Sequence, residues 1–181
     1  MRNSVKTTTP SSAKDYWRTS DQAYRDACYL CGVDDFNVDV AADDGNKKCA
    51  AYISEQADSL RIDWFLGDFA NAWCNPPFSR KVEFLQKAYS ERKRGLICMM
   101  LPYEPCTTWW RENIDGKATI VYVPDGRYNF LHPETGKQMS GVPFSAAFIV
   151  FTSLVSPTHY VQFKRGIGRD RGMSSHRHCS P

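Results

Sequence analysis

The segment GLICMML, residues 95–101, constrains this chain more than any other, because it carries no polar residue on either face. A strand with one wet face alternates apolar and polar residues, whereas an uninterrupted apolar run fits a strand covered on both sides, as in a parallel sheet. Such covering needs helices, and the flanking sequence supplies them. From Ser79 to Arg94 the apolar Val82, Leu85, Ala88 and Tyr89 recur at helical spacing, while Lys81, Glu83, Lys87, Glu91 and Arg92 mostly take the other face. FANAWC precedes that helix as a strand. Beyond the run, Thr107 or Thr108 opens a short helix, TTWWRENI, and ATIVYVP and FSAAFIVF then read as strands around the polar stretch DGRYNFLHPETGKQMSGVP.

The first half repeats the pattern. Ser20 suits a helix N-cap, Ala23, Tyr24, Ala27, Cys28, Leu30 and Cys31 follow at helical spacing, and Gly32 supplies the stop. FNVDVAA, residues 36–42, reads as a buried strand ended by the turn-forming DDGN. Residues 46–66 are weakly patterned, with a strand-like or helical piece around Cys49 to Ile53 and a loop through Asp58, Leu60 and Trp64. Strands alternating with helices predict an α/β fold, a mostly parallel central sheet flanked by helices.

At 181 residues and 42% hydrophobic content the chain can bury one good core. A flexible arm over residues 1–14, one domain over 15–163 and a basic tail over 164–181 are expected. The start MRNSVKTTTPSSAK lacks the apolar centre of a signal peptide, and no apolar run reaches the ~18 residues of a membrane span, so a cytoplasmic location is expected. The formal charge is +3, and the tail alone holds five Lys or Arg against one Asp. Such a tail suits loose attraction to nucleic-acid phosphates or, equally, a solvated terminus. The seven cysteines are scattered and read as reduced, small hydrophobes. Cys28 and Cys31 have CxxC spacing, but zinc wants four ligands, and only His176, His178 and Cys179 offer a second half. Their spacing also fits one face of a helix, and no metal is expected.

The chemistry concentrates where FANAWC ends, in Asn75, Pro76, Pro77 and Phe78. Ligands of open α/β sheets collect at the carboxyl ends of strands. Two prolines restrict the backbone, so carbonyl oxygens keep fixed directions without ordering on ligand binding. Asn75 adds an amide and Phe78 a flat apolar face. A base's exocyclic amine is a poor nucleophile because its lone pair is delocalised into the ring. Two acceptors aimed at its hydrogens, the Asn75 side-chain oxygen and the Pro76 carbonyl, would stabilise the positive charge that develops as it attacks a methyl group. Phe78 would stack on a base rotated out of its helix. The plain alternative is a stiff turn that only ends a strand.

NPPF resembles the motif of S-adenosylmethionine-dependent amino-methyltransferases, in which Asp, Asn or Ser precedes Pro-Pro and an aromatic. More closely, the chain resembles the phage-type DNA N-6-adenine methyltransferase family, through DYWRTS at 15–20, DVAADDGNKKC at 39–49, DSLRIDW at 58–64 and WCNPPFS, with LPYEPCTTWW, PDGRYNF and VPFSAAFIVF closing the match near residue 152. The resemblance implies a Rossmann-like fold, S-adenosylmethionine as cofactor, double-stranded DNA as partner, and methyl transfer to adenine N6 by a phage-encoded enzyme, with protection from restriction as a plausible purpose. It implies Trp17, Thr19, Asp39, Ala41 and Asp58 as cofactor residues, Trp17 and Thr19 closing over the methionine part. Ser20 departs from the family's usual proline, and no glycine-rich first loop is present. Arg127, Tyr128, Lys137 and Gln138 are candidates for DNA contacts, or members of a solvated loop. RNA or a protein glutamine as acceptor, and a noncatalytic DNA-binding or inhibitor protein, are the other readings.

Overall fold

Among the described residues seven strands, β1 (Val38–Asp39), β2 (Ala51–Tyr52), β3 (Asn71–Cys74), β4 (Leu96–Pro102), β5 (Ile120–Pro124), β6 (Ala146–Phe151) and β7 (His159–Phe163), join in one sheet of order β2-β1-β3-β4-β6-β5-β7. The computed structural model describes residues 15, 17–139, 144–154 and 157–170. The arm expected over residues 1–14 and the His176, His178 and Cys179 cluster lie outside them. β2, β1, β3 and β4 run parallel to one another, β6 is antiparallel to both β4 and β5, and β7 is parallel to β5. The α/β class and the mostly parallel sheet are thus as the sequence predicts. The reversed strand β6 is the feature that the unbroken apolar runs conceal, because a strand covered on both faces reads the same in either direction.

The apolar run of β4 splits by pleat. Ile97, Met99 and Leu101 enter one core layer with Trp64, Phe84, Leu85 and Trp110, whereas Cys98 and Met100 enter the opposite layer with Ala23, Ala27, Trp73 and Phe148. The first layer is roofed by helices α2 (Lys81–Glu91) and α3 (Thr108–Asn113), the second by α1 (Asp21–Cys31). Ser20 caps α1, its hydroxyl accepting from the Ala23 N–H at 3.4 Å, and Gly32 ends it at φ 71°. Cys28 and Cys31 both sit on this helix, Cys28 buried against the sheet. Among the described residues no three metal-ligating side chains converge.

Three expectations are corrected. Glu91, assigned to the polar face of α2, is buried at 5% exposure, where Lys87 at 2.7 Å and Arg94 at 3.2 Å neutralise it. β7 was not anticipated. It is an edge strand whose His159 to Gln162 are all exposed, so it carries no burial pattern to read. Residues 164–170, expected in the basic tail outside the domain, instead fold back on α1. The buried Asp26 carboxylate accepts the N–H groups of Gly166 at 2.7 Å and Gly168 at 2.9 Å, and a 3₁₀ turn (Ile167–Asp170) follows. The contact is tight, since a Cβ on Gly168 would stand 2.4 Å from the Arg25 carbonyl oxygen. Gly168 therefore serves close packing. No helix of the described residues is long and apolar enough to cross a membrane.

Candidate active site

The path from β1 out to β2 and back across β1 to β3 makes the connections diverge at the carboxyl ends of these three parallel strands. A cleft of about 200 Å³ occupies that divergence. Val40, Ala41 and Ala42 line it from the end of β1, Ile53 and Ser54 from β2, and Asn75 and Pro77 from β3. Asp15, Trp17, Asp58, Ser59 and Phe84 of α2 also line it.

At the Asn75 corner, the side-chain nitrogen donates to the Trp17 carbonyl at 3.2 Å. A carbonyl can only accept, so this bond fixes the orientation of the amide and leaves Oδ1 as its acceptor. That oxygen is buried and has no hydrogen-bond partner among the described residues. An unmet acceptor costs roughly 1–3 kcal/mol, and it is a cost that an amine bound beside Asn75 would relieve. Ser79 follows at the start of the next helical stretch, its N–H bonded at 2.9 Å to Asp15. Pro76 is buried, while Pro77 lines the cleft. Phe78 is half-buried, with the rings of Phe130 and Phe144 meeting it edge-on at centroid distances of 6.0 and 5.4 Å. Trp17 is buried and stacks on Phe144 at 6.0 Å. The aromatic plate is thus braced from two sides.

The expected cofactor residues divide into lining and support. Trp17, Ala41 and Asp58 line the cleft. Asp58 adopts φ 50°, its carboxylate pairs with Arg61 at 3.0 Å and it accepts from the Leu60 N–H at 3.4 Å. Asp39 does not line it. Its buried carboxylate accepts from the N–H groups of Ala41 at 3.3 Å and Lys48 at 3.0 Å, so it braces the loop that forms the wall. Burial pushes this carboxyl up to about 6, against the pull of those two N–H groups. Thr19 is also buried, beside the capping Ser20, away from the lining. The Ser20 departure thus has a physical reason: a cap for α1 occupies the place of the proline.

The residues expected at DNA separate further. Arg127, Lys137 and Gln138 are exposed. Tyr128 is not: it is buried against Phe148, its hydroxyl donating to Asp26 at 2.6 Å, which removes it from any duplex surface. Lys137 and Gln138 belong to a hairpin-like return in which His132 N–H bonds the Lys137 carbonyl at 2.9 Å and Met139 N–H the Phe130 carbonyl at 2.8 Å. Leu131 of the same segment pairs with Arg18 at 2.8 and 3.0 Å, so the hairpin is tied to the chain next to Trp17.

Sequence reasoning missed Ser54, Glu55, Ser59, Arg80 and Phe84 as cleft residues. The first three follow β2, a strand of only two residues with no legible pattern. Phe84 was readable as apolar, but not as part of a cleft.

A family profile described as DNA N-6-adenine-methyltransferase (Dam) matches residues 6–172. The chain belongs to this family. It is 29% identical over 175 residues to the DNA N-6-adenine-methyltransferase of Escherichia phage T1, covering 86% of this chain and 71% of that protein. It is 28% identical over 136 residues to the protein of the same name from Haemophilus phage HP1, covering 74% of this chain and 76% of that one. The cleft at the ends of β1 to β3 lies wholly within the matched residues.

Proposed function

We propose that the chain is a phage DNA methyltransferase that moves a methyl group from S-adenosylmethionine to N6 of an adenine turned out of the double helix, on a Rossmann-like sheet. The unit that performs this extends from Asp15 through Asp170, and the observation that carries the assignment is the buried, unpartnered Oδ1 of Asn75 in a cleft at the end of a parallel strand.

The cleft fits the donor by its chemistry. Asp15, Asp43, Glu55 and Asp58 line it with Arg80 the one cation among the described lining residues, and, with Asp43 and Asp58 also paired to Arg18 and Arg61, they suit a ligand with a sulfonium, an ammonium and ribose hydroxyls to donate. Arg80 is in turn engaged by Glu83 at 2.9 Å. Val40, Ile53 and Phe84 supply apolar walls. Trp17 and Ala41 stand along the same cleft, and Asp39 holds the wall that carries Ala41. Bound there, S-adenosylmethionine supplies a methyl group on a positively charged sulfur.

The chain's own residues then work on the amine. Asn75 Oδ1 accepts one N6 hydrogen and the Pro76 carbonyl the other, which favours a pyramidal nitrogen and stabilises the positive charge that grows on it. The hydrogen bond from Asn75 Nδ2 to Trp17 keeps Oδ1 aimed without reorganisation. Phe78, braced by Phe130 and Phe144, stacks on the adenine and offsets part of the few kcal/mol of unstacking. Arg127, Lys137 and Gln138 contact the duplex, the last two from the hairpin beside Trp17, phosphates fixing position and base edges sequence.

Offering labelled S-adenosylmethionine with DNA, RNA and protein as competing acceptors tests this assignment. Label in DNA alone is expected. Label in RNA or protein with none in unmethylated DNA would overturn it.

A further inference from the structure

Two buried side-chain oxygens lack a hydrogen-bond partner among the described residues, and both belong to residues lining the same cleft. One is Asn75 Oδ1, whose role is proposed above. The other is the hydroxyl of Ser59, a residue only 5% exposed. Its backbone is committed to structure, since the Ser59 carbonyl accepts the Trp64 indole N–H at 2.8 Å. The backbone is therefore held in place, and the hydroxyl bonds nothing among the described residues.

We infer that Ser59 is a positioning contact for the purine of the methyl donor, its hydroxyl bonding a ring nitrogen or the exocyclic amine of that base. The inference rests on the cofactor assignment above. Asn75, bonded to Trp17, is the residue assigned to the amine, so the reactive end is assigned there, and the nucleoside end to Ser59, which Trp64 ties to the ring of Phe84. Ribose hydroxyls suit carboxylates that keep contact with water, and the exposed Glu55 and partly exposed Asp58 meet that need. A flat base needs apolar faces and a polar contact at its rim; Ile53 and Phe84 offer the faces and Ser59 the rim. A hydroxyl can donate to a ring nitrogen and accept from an amine, so one side chain suits either edge atom. A buried hydroxyl without a protein partner is a cost to the fold that ligand binding removes.

A structural serine and a ligand-reading serine respond oppositely to Ser59→Ala. Titration calorimetry of wild type and variant with S-adenosylhomocysteine and with 5′-methylthioadenosine, alongside thermal unfolding without ligand, separates them. Both ligands are expected to bind the variant roughly 2- to 12-fold more weakly, the range of one neutral hydrogen bond. The ligand-free variant should melt at the wild-type temperature or above it. Unchanged affinities with wild type binding normally would overturn the Ser59 contact while leaving the cofactor assignment intact. A lower melting temperature with unchanged affinities would do the same and make the hydroxyl structural. Loss confined to S-adenosylhomocysteine would put the hydroxyl at the amino-acid half and overturn the purine contact. Wild type binding neither ligand would overturn the cofactor assignment and the Ser59 contact with it.

Discussion

Asn75 is anchored through its nitrogen to Trp17 and left open at its oxygen, so its two halves make separable contributions. Asn75→Ala should lower kcat by roughly 10²- to 10³-fold, the scale of losing one preorganised polar contact to a transition state, while affinity for S-adenosylhomocysteine stays within a few-fold. Turnover near wild type would remove Asn75 from the chemistry. Asp39 makes a different prediction, because burial pushes its carboxyl up to about 6, above the ordinary aspartate value of about 4. The folded state therefore holds that proton more tightly than the unfolded chain. The resulting stabilisation is complete below about pH 4 and is lost as pH rises through about 6, a change on the order of 3 kcal/mol. Asp39→Asn cannot ionise, so its melting temperature relative to wild type should climb between pH 4 and pH 7, whatever constant offset the altered bonds to Ala41 and Lys48 introduce. A difference that does not vary with pH would contradict the buried-carboxylate account.

Elements with strong burial patterns were legible, and those stabilised by edge position or polar bonds were not. β4 and α1 were readable because apolar spacing and capping agreed, down to Ser20 and Gly32. β2 and β7 were not, the one too short for periodicity and the other exposed along its length. The NPPF corner could be placed because a strand and a helix flank it, whereas Ser59 lay in the unreadable stretch after β2. Tyr128 was misplaced for a related reason. Its partner Asp26 lies 102 residues away in sequence, on a helix where an aspartate reads as solvent-facing. That carboxylate ties α1, the Tyr128 segment and the turn after β7 together. Asp26→Ala would strand the Tyr128 hydroxyl and the Gly166 and Gly168 N–H groups, and should cost at least ~3 kcal/mol in urea denaturation. A loss below about 1 kcal/mol would mean that the C-terminal turn is held by other contacts.

Across the molecule, one topological choice places the site. Because β1 lies between β2 and β3, three loops part at the carboxyl edge of the sheet, and the cleft, the acceptor of Asn75 and the braced ring of Phe78 all follow from that parting. The segment that closes the cleft at Trp17 is bonded to the Leu131 hairpin, so the surface proposed for DNA and the wall of the cleft form one connected piece. Phe78→Ala should accordingly weaken capture of DNA carrying an extruded adenine by roughly 1–3 kcal/mol, measured as binding affinity, and unchanged affinity would leave Phe78 a packing residue. The central claim is that this edge of the sheet joins a methyl donor to the amine of adenine. Mapping modified bases in duplex DNA lacking methylation, after incubation with the protein and S-adenosylmethionine, tests it most directly. N6-methyladenine at a recurring short sequence is the predicted result; unmodified DNA, or methyl groups on cytosine alone, would contradict it.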